Sequence, residues 1–293
     1  MPQTYKEHWY LLIAMLAFYV LGRVCQLFPD RIPNMLIVCL HVIPAALFAL
    51  IHGTRIYRWR GVLVFVLLCL GVGAFFEILS LRTGFPFGHD EFTSLMGPRL
   101  FNLPILLALA YVGMGYCSWI VALTILRHQN RAVSGRMTFL VPLFASFVMV
   151  AWDLSMEPVW TNIDRAWTWR NGGPYFGVPV SNFLGWFLTV YVFYQLFALY
   201  LRDRAAIPCR DAYWRLAIIF YGLSAVGNLL VAVPVWMPKV IVDASDRSWM
   251  VSHILWASHL VSVFVMMPLA LIAWTGTSAG ITAESYDSAI SSA

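Results

Sequence analysis

Long runs of apolar residues, separated by short polar segments, dominate the chain. Eight such runs follow one another, and a helix of about 20 apolar residues crosses the hydrocarbon core of a bilayer. The predicted spans cover residues 9–28, 33–52, 61–81, 103–126, 138–158, 180–201, 213–236 and 249–274. The seventh is the least regular, because Pro234 and Pro238 kink or end a helix. The pattern predicts an all-α polytopic membrane bundle of about eight transmembrane helices, forming a single domain over residues 1–275.

Composition and charge agree with a membrane protein. Hydrophobic residues make up 61% of the 293 positions and charged residues only 11%, whereas a soluble domain has about 25% charged residues. The net charge of +5 lies mainly in the loops after spans two, four and six, so it does not indicate a nucleic-acid partner. By the positive-inside rule both termini are cytoplasmic, and we expect a bacterial cytoplasmic membrane protein in contact with lipid. The small and polar residues 276–293 predict a disordered tail.

Three acidic residues interrupt the apolar helices. Glu77 lies near the end of span three and precedes a loop, residues 82–103, that is rich in Gly and Pro. Asp153 and Glu157 lie near the end of span five, and their i, i+4 spacing places them on one helix face. Spans three and five run in the same direction, so the three carboxyl groups share a similar depth. Because a carboxyl group in lipid is costly, all three are candidate catalytic residues.

Each candidate also has a structural interpretation. Glu157 is close enough to the span end to be an interfacial residue, and Asp153 is within reach of an ion pair with Arg165 or Arg170. The loop of residues 158–179 carries a dense set of aromatics. These side chains form either the aromatic belt of a membrane interface or the roof of an apolar cavity.

The other polar groups in the same half of the bilayer complete the predicted site. We expect them to line a cavity around the carboxyl groups, under the aromatic roof. The predicted substrate-binding residues are Phe87, Trp152, Trp167, Trp169, Tyr175, Asn182, Trp186, Asn228 and His253.

Acidic residues in an apolar cavity favour proton transfer to carbon. The sequence has no Gly-x-Gly-x-x-Gly and no His-Glu-x-x-His motif, so we expect neither a cofactor nor a metal. A buried carboxyl group beside a second carboxylate tends to keep its proton. It is then an acid toward an alkene, aromatic faces stabilise the resulting cation, and a carboxylate orients the water that captures it.

The two motif regions resemble the carotenoid biosynthesis membrane-protein family, which includes bisanhydrobacterioruberin hydratase and carotenoid 1,2-hydratases. The resemblance covers roughly residues 60–275. It rests on residues 77–88, Gly97-Pro98, Trp152-Asp153, Glu157-Pro158, Trp167-x-Trp169 and residues 175–186. It implies a cofactor-independent hydro-lyase that adds water across the terminal C1–C2 double bond of an acyclic carotenoid, giving a tertiary alcohol. The implied partner is therefore a lipophilic carotenoid or related isoprenoid.

The chain departs from the family's pattern at three places. A tyrosine-rich run is expected after Gly88, where this chain has His89, Asp90, Glu91 and Phe92. Asp is more frequent than Glu at position 157, and a tryptophan is common where Tyr111 stands. The first departure changes the loop over the site and leaves the substrate open.

Two other functions compete with hydration. One is a Mg²⁺-dependent prenyl-transferring enzyme, since Asp153-x-x-x-Glu157 resembles an acidic Mg²⁺-binding motif. The other is a proton-coupled lipid transporter or binding protein, with the carboxylates as a proton relay. No second acidic helical motif accompanies the first, which favours the hydratase interpretation.

Overall fold

The molecule is a bundle of membrane-crossing helices with short strands in its loops. The computed structural model describes residues 3–204, 206–230 and 239–277. Within these residues, seven helices are long and apolar enough to cross a membrane. The helices are α1 (Gln3–Cys25), α2 (Asn34–Thr83), α3 (Ile105–Ile125), α4 (Met137–Asn162), α5 (Val180–Leu201), α6 (Asp211–Leu230), α7 (Val251–Val261) and α8 (Met267–Thr277). A π-helical turn, Ser262–Met266, joins α7 to α8 within one span. The predicted all-α polytopic bundle is confirmed.

Helix α2 accounts for two of the predicted spans. Its 50 residues are interrupted at Arg58, where the backbone turns to φ 60° and ψ 169°. Gly113 packs directly against Ala45, while Gly73 lies beside Tyr111 on the same turn of α3. In a straight helix Ala45 and Gly73 would be about 42 Å apart at 1.5 Å per residue. The helix therefore reverses at Arg58, and its two halves correspond to predicted spans two and three.

Two prolines lie inside α4, and side chains from α5 and from the loop after α4 complete the hydrogen bonds that they remove. Pro142 and Pro158 have no N–H to offer the carbonyls four residues earlier. Gln195 donates to the freed carbonyl of Thr138 at 3.1 Å, and the Tyr175 hydroxyl donates to that of Leu154 at 3.1 Å. Because lipid supplies no water for these groups, the side chains keep α4 helical as far as Asn162. The predicted end of span five at residue 158 was one turn too early.

The loops at one end of the bundle form small antiparallel sheets. The strands are β1 (Asp90–Phe92), β2 (Arg99–Leu100), β3 (Leu103–Pro104), β4 (Trp167–Trp169), β5 (Val240–Val242) and β6 (Ser248–Met250). Strand β1 pairs with β4, with Asp90 opposite Trp169 and Phe92 opposite Trp167. The loop after α2 and the loop after α4 are thereby joined, and together they cover the ends of these two helices.

A third loop packs on this cover. Strands β5 and β6 form a hairpin in which Trp249 donates to Asp243 at 2.8 Å. The Trp249 ring meets the edge of Phe176 at 5.5 Å. A side chain at Gly177, where φ is +83°, would collide with Asp243. The tail predicted for residues 276–293 begins too early, because α8 continues to a buried Thr277. The rest of that tail, from residue 278, and the predicted end of span seven, residues 231–236, lie outside the described residues.

Candidate active site

The loop after α2 is fixed to its own helix and to α5. Ser80, one turn after Glu77, donates to the carbonyl of Gly88 at 2.9 Å. Ser181 at the start of α5 donates to the carbonyl of Phe87 at 2.8 Å. A Cβ on Gly185 would come within 2.6 Å of Phe87, so only glycine lets the loop lie this close. These contacts hold Phe87 against the end of α5.

A cavity beneath the joined loops collects acidic and aromatic side chains from α2 to α5. We call it the carboxyl cavity. It is lined by Glu77, Phe87, Asp90, Phe92, Leu107, Glu157, Trp167, Trp169, Asn182 and Trp186. Glu77 lies close enough to Asp90, Asp153 and Glu157 to interact electrostatically with each of them. The three predicted catalytic carboxyls therefore lie together, and Asp90 joins them.

Glu157 is surrounded by hydrogen-bond donors. Its side chain is 1% exposed, so it is not an interfacial residue. Its Oε1 accepts hydrogen bonds from Trp167 Nε1 at 2.7 Å, Trp169 Nε1 at 2.8 Å and the Thr161 hydroxyl at 2.9 Å. An indole N–H can only donate, and three donors on one oxygen stabilise a charged acceptor. These three donors therefore stabilise the charged form of Glu157 and offset part of the cost of burying it.

Asp153 has the opposite environment. It is fully buried, and Oδ2 accepts one hydrogen bond, from the amide of Asn182 at 3.2 Å. Oδ1 is buried without a partner among the described residues. A single amide donor compensates poorly for burial of a charge. Asp153 is thus suited to carry a proton, and the described part of the chain gives it no arginine partner.

Glu77 and Tyr111 form a third part of the site. The Tyr111 hydroxyl donates to Glu77 Oε1 at 2.9 Å. The Tyr111 ring stacks on Trp186, with centroids 4.4 Å apart and an interplanar angle of 8°. Tyr111 therefore holds the Glu77 carboxyl group next to the Trp186 wall of the site. The sequence did not suggest this role.

Asp90 is the carboxyl group that sequence reasoning missed. Its side chain points inward because strand β1 alternates, with Asp90 and Phe92 buried and Glu91 exposed. Oδ1 of Asp90 is buried without a hydrogen-bond partner among the described residues. Burial raises the pKa of Asp90 to about 6, although Arg170 nearby acts to lower it. A run of charged residues in a loop ordinarily indicates a solvated segment, so only the strand pairing reveals this residue.

Aromatic rings enclose the carboxyl groups on several sides. Trp186 is near Trp152 at 6.2 Å and near Phe87 at 6.5 Å, measured between ring centroids. Trp167 and Trp169 are buried, which fits the roof of a cavity better than an interfacial belt. Tyr175 is half-buried, and its hydroxyl is bonded to the backbone of α4, close enough to Asp153 to interact electrostatically.

Five predicted site residues do not line the carboxyl cavity: Asp153, Trp152, Tyr175, Asn228 and His253. Asp153 lies beside it through its bond with Asn182, and Trp152 and Tyr175 are close by, whereas Asn228 and His253 are placed elsewhere. Asn228 donates to Ser155 and to Ser262, at 3.1 Å each, and so connects α6 to α4 and to the π-helical turn. His253 is exposed and shares a face of the last span with Trp256, which is 64% exposed. The helix therefore turns His253 away from the bundle.

Comparison with known proteins identifies a family for the chain. Searches of curated proteins and of solved structures return no match. A comparison with protein-family models matches residues 34–244 to the family described as carotenoid biosynthesis protein. The match covers well over half of the chain and includes all four carboxyl groups of the site. The chain therefore belongs to the carotenoid biosynthesis protein family.

Proposed function

We propose that this membrane protein is a carotenoid hydratase that adds water to the terminal C1–C2 double bond of an acyclic carotenoid end group. The observation that carries the proposal is the contrast between two carboxyl groups one helical turn apart. Glu157 accepts three hydrogen bonds on one oxygen, whereas Asp153 accepts one. When their environments give two carboxyl groups different proton affinities, one can act as the acid and the other as the base of a single reaction.

Asp153 is the proposed acid. It transfers its proton to C2 of the alkene, the π electrons form the new C2–H bond, and a tertiary cation remains at C1. The faces of Trp152 and Trp186 stabilise such a cation by about 0.5–2 kcal/mol each. The aromatic walls also exclude other water molecules, so that only the reacting water reaches the cation.

Glu157 is the proposed base. Water adds to C1 through its oxygen, and one of its protons passes to the Glu157 carboxylate. Returning that proton to Asp153 completes the cycle, so the net change is the addition of one water molecule. The two residues share one face of α4, and Glu77 lies within electrostatic reach of both, which gives the proton a short return path.

Asp90 is proposed to exchange protons between the buried carboxyls and water outside the membrane. It is the one carboxyl group of the cavity that lies on a loop, and it interacts electrostatically with Glu77 and Glu157. A proton donor or acceptor with a pKa near the working pH transfers protons in both directions.

The contacts of Glu157 argue against the Mg²⁺-dependent alternative. Cation ligands present free oxygen lone pairs to the metal. Two indole N–H groups and a hydroxyl are directed at Oε1 of Glu157, and an N–H group repels a cation. This arrangement suits a carboxylate that exchanges protons.

Expression in a host that accumulates lycopene tests the proposal. We expect a product heavier than lycopene by one or two molecules of water, formed without added reductant. Production in D₂O should place one deuterium at C2 of each hydrated end. Loss of product on removal of O₂ would contradict hydration, because the added oxygen must come from water.

A further inference from the structure

A polar cavity lies between the end of α4 and the β5–β6 hairpin. Its lining includes Thr161 and Asn162 of α4, Thr168 and Trp169 of β4, and Asp243 of the hairpin. We call it the vestibule, and its volume is about 210 Å³. Arg165 also lines it and is exposed, so the vestibule opens to the surface at the loop end of the bundle.

The hairpin forms a fixed side of the vestibule. Gly177 lines the cavity, and because it has no side chain, Asp243 can lie against it; a Cβ there would be 2.8 Å from Asp243 Oδ2. The same Oδ2 accepts hydrogen bonds from Trp249 at 2.8 Å and from Arg247 at 3.2 Å. The hairpin, which takes no part in the proposed acid–base chemistry, is thereby held in place as a wall.

The vestibule and the carboxyl cavity have one wall in common. Trp169 lines both of them, and its Nε1 donates to Glu157 Oε1 at 2.8 Å. Thr161, which also lines the vestibule, donates to the same oxygen at 2.9 Å. Glu157 itself lines the carboxyl cavity. A single layer of side chains, Trp169 and Thr161, therefore separates the vestibule from the proposed base.

The sizes of the two cavities suit water. A cavity needs about 10–15 Å³ and a few polar partners to hold one water molecule. The carboxyl cavity has a volume of about 20 Å³ and is lined by Glu77, Asp90 and Glu157, so it has room for about one water molecule among the carboxyl groups. The vestibule has about ten times this volume and is lined by hydroxyl, amide and guanidinium groups, so it has room for several.

We infer that the vestibule stores water for the reaction, and that the reacting water passes from it between Thr161 and Trp169 into the carboxyl cavity. This role rests on the proposed function, because hydration consumes one water molecule at each reacting end. The lipid around the helices supplies no water, whereas the vestibule connects the surface of the loop end with the residues that contact the base. The water therefore arrives on the side of Glu157, the group that takes its proton.

Labelling of an introduced cysteine tests whether water reaches this wall. The full-length protein carrying Thr161→Cys, in detergent micelles, is treated with a charged methanethiosulfonate reagent, and the added mass is measured. A thiol reacts as its thiolate, which forms in contact with water. We expect Thr161→Cys to gain one label beyond the parent, which has five cysteines of its own. Ser155→Cys is the control, because Ser155 is buried earlier on the same helix and lines neither cavity, and it should gain none. Absence of the label at Thr161→Cys would overturn the aqueous vestibule.

A plug in the vestibule tests the supply of water. Thr168 lines the vestibule and lies between the two tryptophans that contact Glu157, so Thr168→Phe fills the vestibule and leaves these contacts in place. Formation of hydrated product and labelling of Thr161→Cys should each slow about tenfold or more, an added barrier of about 1.4 kcal/mol, while lycopene binding measured by absorbance after gel filtration stays unchanged. Ser94→Phe is the control, because Ser94 is exposed on the turn Ser94–Met96 and lines neither cavity.

Equal rates for the Thr168→Phe and Ser94→Phe proteins would overturn supply through the vestibule. If Thr168→Phe does not fold, Thr168→Leu gives a smaller obstruction and should slow both rates in the same direction.

The labelling rates do not depend on turnover, so failure of the route and failure of the proposed function are distinguishable. Labelling of Thr161→Cys without any hydrated product from the parent would contradict hydration and leave an aqueous vestibule. Hydrated product from the parent without labelling of Thr161→Cys would support hydration and overturn this route for water.

Discussion

Replacement of Asp153 by Asn separates catalysis from folding. The variant keeps a carbonyl oxygen that can accept the Asn182 hydrogen bond, and its amide replaces an oxygen that has no partner among the described residues. At most one net hydrogen bond changes, so the free energy of unfolding should change by about 1 kcal/mol or less. The proton donor, however, is lost completely. A general acid contributes about 10²–10⁴-fold in rate, which corresponds to about 2.7–5.5 kcal/mol of activation free energy.

The assay measures hydrated carotenoid per molecule of purified protein in liposomes, and thermal unfolding is recorded on the same samples. We expect product formation to fall at least 100-fold while the unfolding temperature stays close to that of the parent. Asp30→Asn is the matched control, because Asp30 is exposed on the loop between α1 and α2. Product within threefold of the parent would remove Asp153 from the mechanism. A parallel loss of product and of folded protein would mean that the residue is structural.

Three further changes probe the surroundings of the acid and base. Trp169→Phe removes one of the three hydrogen-bond donors to the proposed base, Glu157. A hydrogen bond to a charged group contributes about 1.5–3 kcal/mol, so the hydration rate, measured by liquid chromatography of the product, should fall about tenfold or more. An unaltered rate would count against a charged base. Burial raises the pKa of Asp90 from 3.8 to about 6, so its proton contributes fully to the stability of the fold below pH 3.8, and this contribution is lost as the pH rises to about 6. The hydration rate should decline as the pH falls through 6. Asp90→Asn should abolish this pH dependence, whereas Glu91→Gln, on the exposed face of the same strand, should retain it. Gly185→Ala places a Cβ against the loop after α2 and should lower the free energy of unfolding by about 1–3 kcal/mol, as measured by thermal unfolding in detergent. Gly71→Ala has open space at its Cβ and should leave the free energy of unfolding unchanged.

The helices were predictable because lipid imposes a simple rule. A segment that crosses the bilayer must satisfy its backbone within itself, so apolar length alone identifies it. The boundaries were less predictable. The end of α4 depends on Tyr175 in the loop that follows it, which bonds the carbonyl freed by Pro158, and nothing in the α4 sequence itself reveals this partner. The turn at Arg58 within α2, by contrast, lies in the polar gap between predicted spans two and three, and the apolar pattern indicated it.

The carboxyl groups within helices could be found from sequence, whereas their partners could not. An acid in an apolar run stands out by composition, which was enough to identify Glu77, Asp153 and Glu157. Asp90 lies in a polar loop, where composition carries no contrast, and its burial results from pairing with a strand 77 residues away. Tyr111 similarly gains its contact with Glu77 only from the packing of α3 on α2.

The pairing of β1 with β4 couples any opening of the cover to the chemistry of the proposed site. Trp167 and Trp169 belong to the cover, and their indole groups are also what stabilise the charge on Glu157. Any movement that lifts this cover takes two of the three donors away from the base and carries Asp90 out with the partner strand. In the proposed mechanism, lifting the cover therefore removes the stabilised base, and the cation forms only while the cover excludes bulk water. The same pairing that builds the site would then protect the proposed intermediate.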